Sequence, residues 1–191
     1  MQKSKLQKFT TKELRWDFYS MFIRLKDKGF EIEALLFMLA TWNFASFRYA
    51  VREFNLDEFI KTVDKVKSIL KPLEKEDFKN TDFDKYSGEI KQSFKLLARI
   101  KGIQKTGASK ILHLLFPKIF VMWDGYIRNY YGFKKGNEDD YLNFLELMQK
   151  KFSEVRSSGI RTATKLIDEH NYKTITMLAL KNNKLKKLGK S

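Results

Sequence analysis

One segment, Ile100–Arg128 (IKGIQKTGASKILHLLFPKIFVMWDGYIR), constrains the chain more than any other. A helical pattern ends near Ile100, a tight turn occupies Lys101–Lys105, and a second helical pattern starts at about Thr106 and runs to Phe116. Gly102 stands where so sharp a reversal needs a positive φ, which glycine adopts without steric cost. Thr106 is placed to cap the helix that follows, and Gly107, Ala108 and Ser109 are small enough for another backbone to approach closely. Amides at a turn entering a helix N-terminus form an anion site, strengthened by the helix dipole. Lys101, Lys105 and Lys110 add positive charge around it. The apolar, strand-like run that ends at Trp123 then delivers Asp124 to the start of another helix. Taken residue by residue, the turn also reads as an ordinary helix–helix corner and Asp124 as a helix N-cap.

The rest of the chain is patterned as helix almost throughout. Apolar residues recur at helical spacing in Thr11–Lys28 (Leu14, Phe18, Phe22, Leu25), closed by Gly29. Glu31–Phe54 predicts a buried helix over Ile32–Thr41, a turn at Trp42-Asn43 and a further helix. Leu56–Leu70 carries Phe59, Ile60, Val63, Val66, Ile69 and Leu70 on one face. Pro72–Gly88 is polar and predicts mostly loop with one short helix. Helices are expected over Glu89–Ile100, Asp124–Tyr131, Asp139–Val155 and Arg161–Asn171, and Lys181–Ser191 reads as a fraying Lys-rich helix or tail. The two prolines, Pro72 and Pro117, each end a helical pattern.

Charge narrows the partner. The 191 residues carry 38 Lys+Arg against 23 Asp+Glu, a formal net charge of +15, which calls for a polyanion, and nucleic acid is the usual one. A hydrophobic fraction of 43% is too high for a disordered basic tail. No apolar run reaches the roughly 18 residues that a spanning helix needs, and the N-terminus has no signal-peptide core. With no cysteine, disulfides, thiolate zinc sites and cysteine-ligated iron–sulfur clusters are excluded, in keeping with a reducing, cytoplasmic location. His113 and His170 lie far apart; His113 sits in an apolar helix and is expected to be a satisfied, partly buried side chain rather than a metal ligand. No metal and no cofactor are expected.

The Ile100–Arg128 segment resembles the helix-hairpin-helix DNA glycosylases related to endonuclease III. That family's hairpin reads apolar-Pro-Gly-apolar-Gly before a helix with a small-residue pair; here it is Ile100-Lys101-Gly102-Ile103-Gln104, then Ala108-Ser109. The first glycine matches, and Gln104 replaces the second. Gly102 and Asp124 are 22 positions apart, as the family pattern requires, and Phe120–Asp124 followed by Ile127-Arg128 matches the family's apolar run, acid and apolar-Arg. The resemblance implies an all-α, two-lobed fold with a central cleft. Residues 31–123 would form the lobe with the hairpin, and residues 1–30 together with 124–191 the other. It implies a monomer that acts on double-stranded DNA carrying a lesion or mismatch, and is nucleoid-associated when bound.

It also implies roles. Asp124 would stabilise the cation that develops on the deoxyribose and orient or deprotonate water. Lys101, Gly102, Ile103, Gln104, Lys105, Gly107 and Arg128 would meet the DNA. Bifunctional relatives carry a lysine near the start of the second hairpin helix, which attacks the sugar and forms a Schiff base. In the gapless match that position is Thr106, so a monofunctional glycosylase is expected. Lys105, about 100° away around a helix, and Lys110, one turn on along the same face, are the spare amines. The Trp42-Asn43-Phe44 turn falls where the family places its duplex-filling wedge, so Trp42 or Asn43 is expected there; Phe44, Phe47, Trp123 and Tyr126 are expected to line the base pocket. An amide between two large aromatic residues needs a partner, which singles out Asn43. Lys181, Lys184, Lys186, Lys187 and Lys190 are candidates for backbone contacts or a solvated tail. A non-enzymatic, structure-specific DNA-binding module would use the same hairpin with no need for Asp124.

Overall fold

The computed structural model describes residues 14–50, 52–158 and 161–188, so residues 11–13 of the first expected helix and Lys190 lie outside the described residues. The elements are α1 (Leu14–Asp27), α2 (Glu31–Trp42), α3 (Phe44–Ala50), α4 (Leu56–Leu70), α5 (Ser87–Ala98), α6 (Gln104–Leu115), α7 (Gly125–Tyr130), α8 (Glu138–Lys151), α9 (Ala163–Asn171) and α10 (Met177–Leu188). A 3₁₀ turn over Lys71–Leu73 continues directly from α4 at the edge of the Pro72–Gly88 segment. The chain is all-helical: among the described residues the sole β pairing is an isolated bridge between Ser158 and Arg161. The Phe120–Trp123 run is buried and extended, and pairs with no strand.

Local signals start several helices where expected. Asn55, Asp124, Asn137 and Thr162 each accept a hydrogen bond from an amide in the first turn of α4, α7, α8 and α9. The start of α6 differs. It begins two residues before Thr106, and Ile103 occupies the cap position without a side-chain bond, so Thr106 lies inside the helix and does not cap it.

Packing is built on α5, which lies against α4, α6 and α8, and on α1, which lies against α2. Phe94 of α5 stacks on Tyr141 of α8 at 4.5 Å, and the Tyr141 hydroxyl donates to Val121 O at 3.0 Å. His113 is fully buried in α6. Its Nδ1 faces Phe120 O at 2.7 Å, which only accepts, so Nδ1 carries the proton and Nε2 accepts from the Tyr19 hydroxyl at 3.0 Å. Burial depresses its pKa to about 4, in agreement with a satisfied neutral histidine. Lys26 of α1 donates to the last carbonyls of α6, Leu114 O at 2.9 Å and Leu115 O at 2.6 Å, an arrangement favoured by the helix dipole.

The chain position between Trp123 and Asp124 is not a break in packing. One hydrophobic cluster runs from Phe22 through Trp123 to Phe144, Ile167 and Ile175. α8 belongs with α5 rather than with the helices around it in sequence, because Tyr141 and Phe144 fill the aromatic cluster around Trp123. α1 likewise rests mainly on α2, bonds to α6 through Lys26 and Tyr19, and reaches the C-terminal helices through Tyr19, whose ring lies 5.0 Å from Lys165 Nζ. The last two helices form one continuous rod: α9 passes into a π turn over Tyr172–Thr176 and then into α10. The helical signal thus extends through residues 172–180, beyond the Asn171 end expected for α9. π turns inside helices recur at functional sites, and this one sets the direction of two side chains described below.

Candidate active site

The hairpin comes first in the chain's logic. Gly102 has φ +86° and packs so tightly that an added Cβ would sit 2.4 Å from Ala50 Cβ. Gln104 has φ +51°, the left-handed conformation that glycine favours. The backbone is therefore the one a glycine would allow, and glutamine holds it at some cost. Asn43 braces the turn from α2–α3: its Nδ2 donates to Gly102 O at 2.9 Å and Ile103 O at 3.2 Å. Gly107 makes room for that amide, since a Cβ there would meet Asn43 Nδ2 at 2.9 Å. The partner expected for Asn43 is thus the hairpin itself. At 5% exposure, with its donors committed inward, Asn43 is a strut of the turn and not a projecting wedge.

Beside the hairpin lies a cavity of about 480 Å³, within the roughly 300–1,000 Å³ range of small-molecule sites. It gathers residues from α1 (Phe18), the α2–α3 corner (Trp42, Asn43), α6 (Thr106, Lys110), the extended run (Trp123, Asp124), α9 (Asp168) and the π turn (Tyr172). Asp124 caps α7 by accepting from Ile127 N at 2.9 Å through Oδ1, while its Oδ2 accepts from Thr176 Oγ1 at 2.7 Å. The cap and the cavity carboxylate are one side chain in one geometry. Ser109 holds the run that delivers it: Oγ accepts from Trp123 N at 3.2 Å.

The expected lysines separate. Lys110 is 7% exposed and points into the cavity, where its Nζ donates to Trp42 O; it is not a surface phosphate contact. Lys105 is exposed and donates to Lys135 O, away from the cavity, and Lys101 is exposed and paired with Glu53. Arg128 is not spread toward solvent. Its guanidinium lies 5.6 Å from the Trp123 ring and over Gly136, where a Cβ would come within 1.9 Å of Nη1. Burial lowers its pKa, opposed by the nearby Asp124 and Asp140.

Of the expected pocket aromatics, Trp42 and Trp123 line the cavity; Phe44, Phe47 and Tyr126 do not. Trp123 is 1% exposed and is largely a core residue, its Nε1 donating to Lys105 O at 3.0 Å. Phe47 is core, packed on Phe54 and the Gly102 backbone. Phe44 is 55% exposed, with Arg48 5.3 Å over its ring, and is the aromatic of the Trp42-Asn43-Phe44 turn that stands out into solvent. Tyr126 turns toward α10, where Asn183 Nδ2 lies 3.4 Å from its hydroxyl. Lys181 and Lys184 are exposed on α10, while the side chains of Lys186 and Lys187 lie outside the described residues.

The sequence reading missed Phe18, Asp168, Tyr172 and Thr176. Phe18 was hidden in an apolar stripe. Asp168 and Lys165 are charged residues on an otherwise buried helix, the one signal that pointed to them. Among the described residues no helix is long and apolar enough to cross a membrane, and no group of three or more acidic or histidine side chains is placed to hold a metal. Comparison with protein-family models, curated proteins and solved structures gives no match for this chain.

Proposed function

We propose that this protein is a monomeric DNA N-glycosylase of the helix-hairpin-helix, endonuclease III-like kind, with a two-lobed fold and its cleft at the cavity. It flips a damaged or mismatched base out of double-stranded DNA and hydrolyses the N-glycosidic bond. One observation carries this: Asp124, Thr106 on α6 and Asn43, whose amide braces the Gly102 hairpin, line a single cavity. The lining residues come from α1, α2, α6, the Trp123–Asp124 run, α9 and the π turn, so the cavity lies between the hairpin-bearing helices and the C-terminal rod. In the reaction, Asp124 stabilises positive charge on the sugar as the bond to the base lengthens, and orients the water that adds to it. The excess of lysine supplies the affinity for phosphate.

A second reading rests on a specific observation. Lys110 Nζ is inside the same cavity, so it can take the role of the amine that Thr106 lacks and give a glycosylase with lyase activity. Single-turnover incubation with duplexes carrying uracil, an oxidised purine, an alkylated purine or a mismatched thymine, with and without alkali, tests the proposal. Release of at least one base is expected, with strand breaks after alkali. Salt-dependent DNA binding without release of any base would instead mark a non-enzymatic DNA-binding module.

A further inference from the structure

Helical periodicity gives α3 two unlike sides, with Phe47 and Ala50 on one and Phe44, Arg48 and Tyr49 on the other. The inner side is buried and pinned to the hairpin: a Cβ on Gly102 would lie 2.4 Å from Ala50 Cβ and 3.6 Å from Phe47 Cα. The outer side presents two aromatic rings to solvent, Phe44 at 55% exposure and Tyr49 at 72%. Arg48 stands between them. Its guanidinium carbon is 5.3 Å from the Phe44 ring centre and 4.4 Å from that of Tyr49, and Nη2 donates to the Tyr49 hydroxyl at 2.5 Å. Rings left this open to water add little to the stability of the fold, because the apolar surface they bury is small. α3 carries no acid, and Arg52 is exposed just beyond it. Glu53, the next carboxylate along the chain, is paired with Lys101. Ala45 and Ser46 of the same helix line the cavity, so the aromatic face begins at the cavity's rim.

We propose that the outer side of α3 is a stacking platform for the unpaired bases of a single DNA strand, set beside the cavity. Every base has a π face, so aromatic rings and a guanidinium plane hold unpaired nucleotides whatever their sequence. Phe44 and Tyr49 supply the rings. Arg48 supplies a plane and a charge between them, and Arg52 adds a second charge for the phosphates. A face with two arginines and no acid on its helix, in a chain of net charge +15, complements a strand of phosphates. A base inside a duplex keeps its faces against its neighbours, so the platform favours unpaired over paired DNA. Anchorage on the Gly102 turn fixes the platform relative to the hairpin, so both meet one strand in a set register. The inference shares its DNA partner with the reading above and does not depend on hydrolysis of a base, since it concerns nucleotides beside the cavity rather than one inside it.

Fluorescence anisotropy on the full chain tests this with labelled strands of about 12 nucleotides, within the usual span of a single-strand site. One strand is oligothymidylate. A second has the same phosphates with abasic tetrahydrofuran units, and a third is oligouridylate. Oligothymidylate should bind roughly tenfold or more tighter than the abasic strand, the gain expected for stacking of one or two bases. Phe44→Ala combined with Tyr49→Ala should erase that preference and leave the affinity for the abasic strand unaltered, because no charge is removed. Phe44→Trp combined with Tyr49→Trp should retain it. If the double alanine variant does not fold, Tyr49→Ala alone, at the more exposed position, carries the test with a smaller loss. Equal affinity for the thymidylate and abasic strands, or a preference that the alanine substitutions leave intact, overturns the platform. Tighter binding of oligouridylate overturns the choice of DNA. A dimer in sedimentation that the double alanine variant dissolves would give the face to a second copy of this chain, and also overturns it. Base release from a lesion duplex alongside any of these results leaves the glycosylase reading standing. A stacking preference erased by the substitutions, with no base released from any duplex, supports the platform and removes the glycosylase reading.

Discussion

Thr176 donates a 2.7 Å hydrogen bond to Asp124 Oδ2 across 52 residues of chain. The bond joins the π turn of the C-terminal rod to the carboxylate at the head of α7. It leaves Oδ1 to cap that helix and fixes the side chain's rotation at the cavity wall. Cap and cavity functions are thus separable by substitution. Asp124→Asn keeps a good cap residue and removes the charge, so its melting temperature should stay within about 4 °C, equivalent to roughly 1 kcal/mol for a chain of this size. Base release should fall by about 100-fold or more while DNA binding persists. Thermal unfolding and single-turnover excision check both, and near-unaltered excision by Asp124→Asn would remove the carboxylate from the mechanism.

The hairpin makes an opposing pair of expectations. Asn43→Ala unpairs two carbonyls of the turn and should cost about 1–3 kcal/mol of stability and weaken DNA binding. A projecting wedge would show the reverse, with stability unchanged. Gly102→Ala should be worse than Asn43→Ala, since it forces a Cβ into Ala50 at positive φ. Gln104→Gly should be neutral or stabilising by up to about 1 kcal/mol, because it relieves a left-handed glutamine. Urea unfolding of the three variants gives the order directly.

Acid should destabilise the protein through His113. Its folded pKa is depressed from 6.5 to about 4, so between those values the unfolded chain binds the proton and the folded one does not. Stability is therefore full above pH 6.5 and falls as pH drops through 4, by about 3 kcal/mol from this group. His113→Gln should flatten that part of the profile. Unfolding free energies at pH 7, 5.5 and 4 measure it; parallel profiles for the two proteins would show that other groups carry the acid response.

Borohydride trapping should separate the two amine readings. With Thr106 where a Schiff-base lysine stands in bifunctional relatives, the product should be mostly intact abasic sites, with little trapped adduct. An adduct that forms as fast as the base is lost would make the enzyme bifunctional. Its disappearance in Lys110→Ala and persistence in Lys105→Ala would assign the amine to the cavity side chain, because Lys105 is turned out to Lys135 O.

Much of this molecule was legible in local chemistry. The apolar stripe of α4, the caps at Asn55 and Asp124, the positive φ at Gly102 and the breaks at Pro72 and Pro117 depend on a residue and its near neighbours. The extended run from Phe120 to the head of α7 followed from its apolar composition and the acid at its end. Other features depended on which faces meet. Asn43 became a strut because α2 ends against the hairpin, and Lys110 turned inward, where its Nζ donates to the Trp42 carbonyl. α8 joined α5 because the Trp123 aromatic cluster required Tyr141 and Phe144. Asp168 reached the cavity, and Thr176 the Asp124 carboxylate, through the way α9 and the π turn after it pack on the rest of the chain, which no residue pattern announces. Periodicity and turn chemistry are short-range and survive in the sequence. The orientation of a polar side chain toward a cavity is set by contacts among distant helices, and exists only once they have packed.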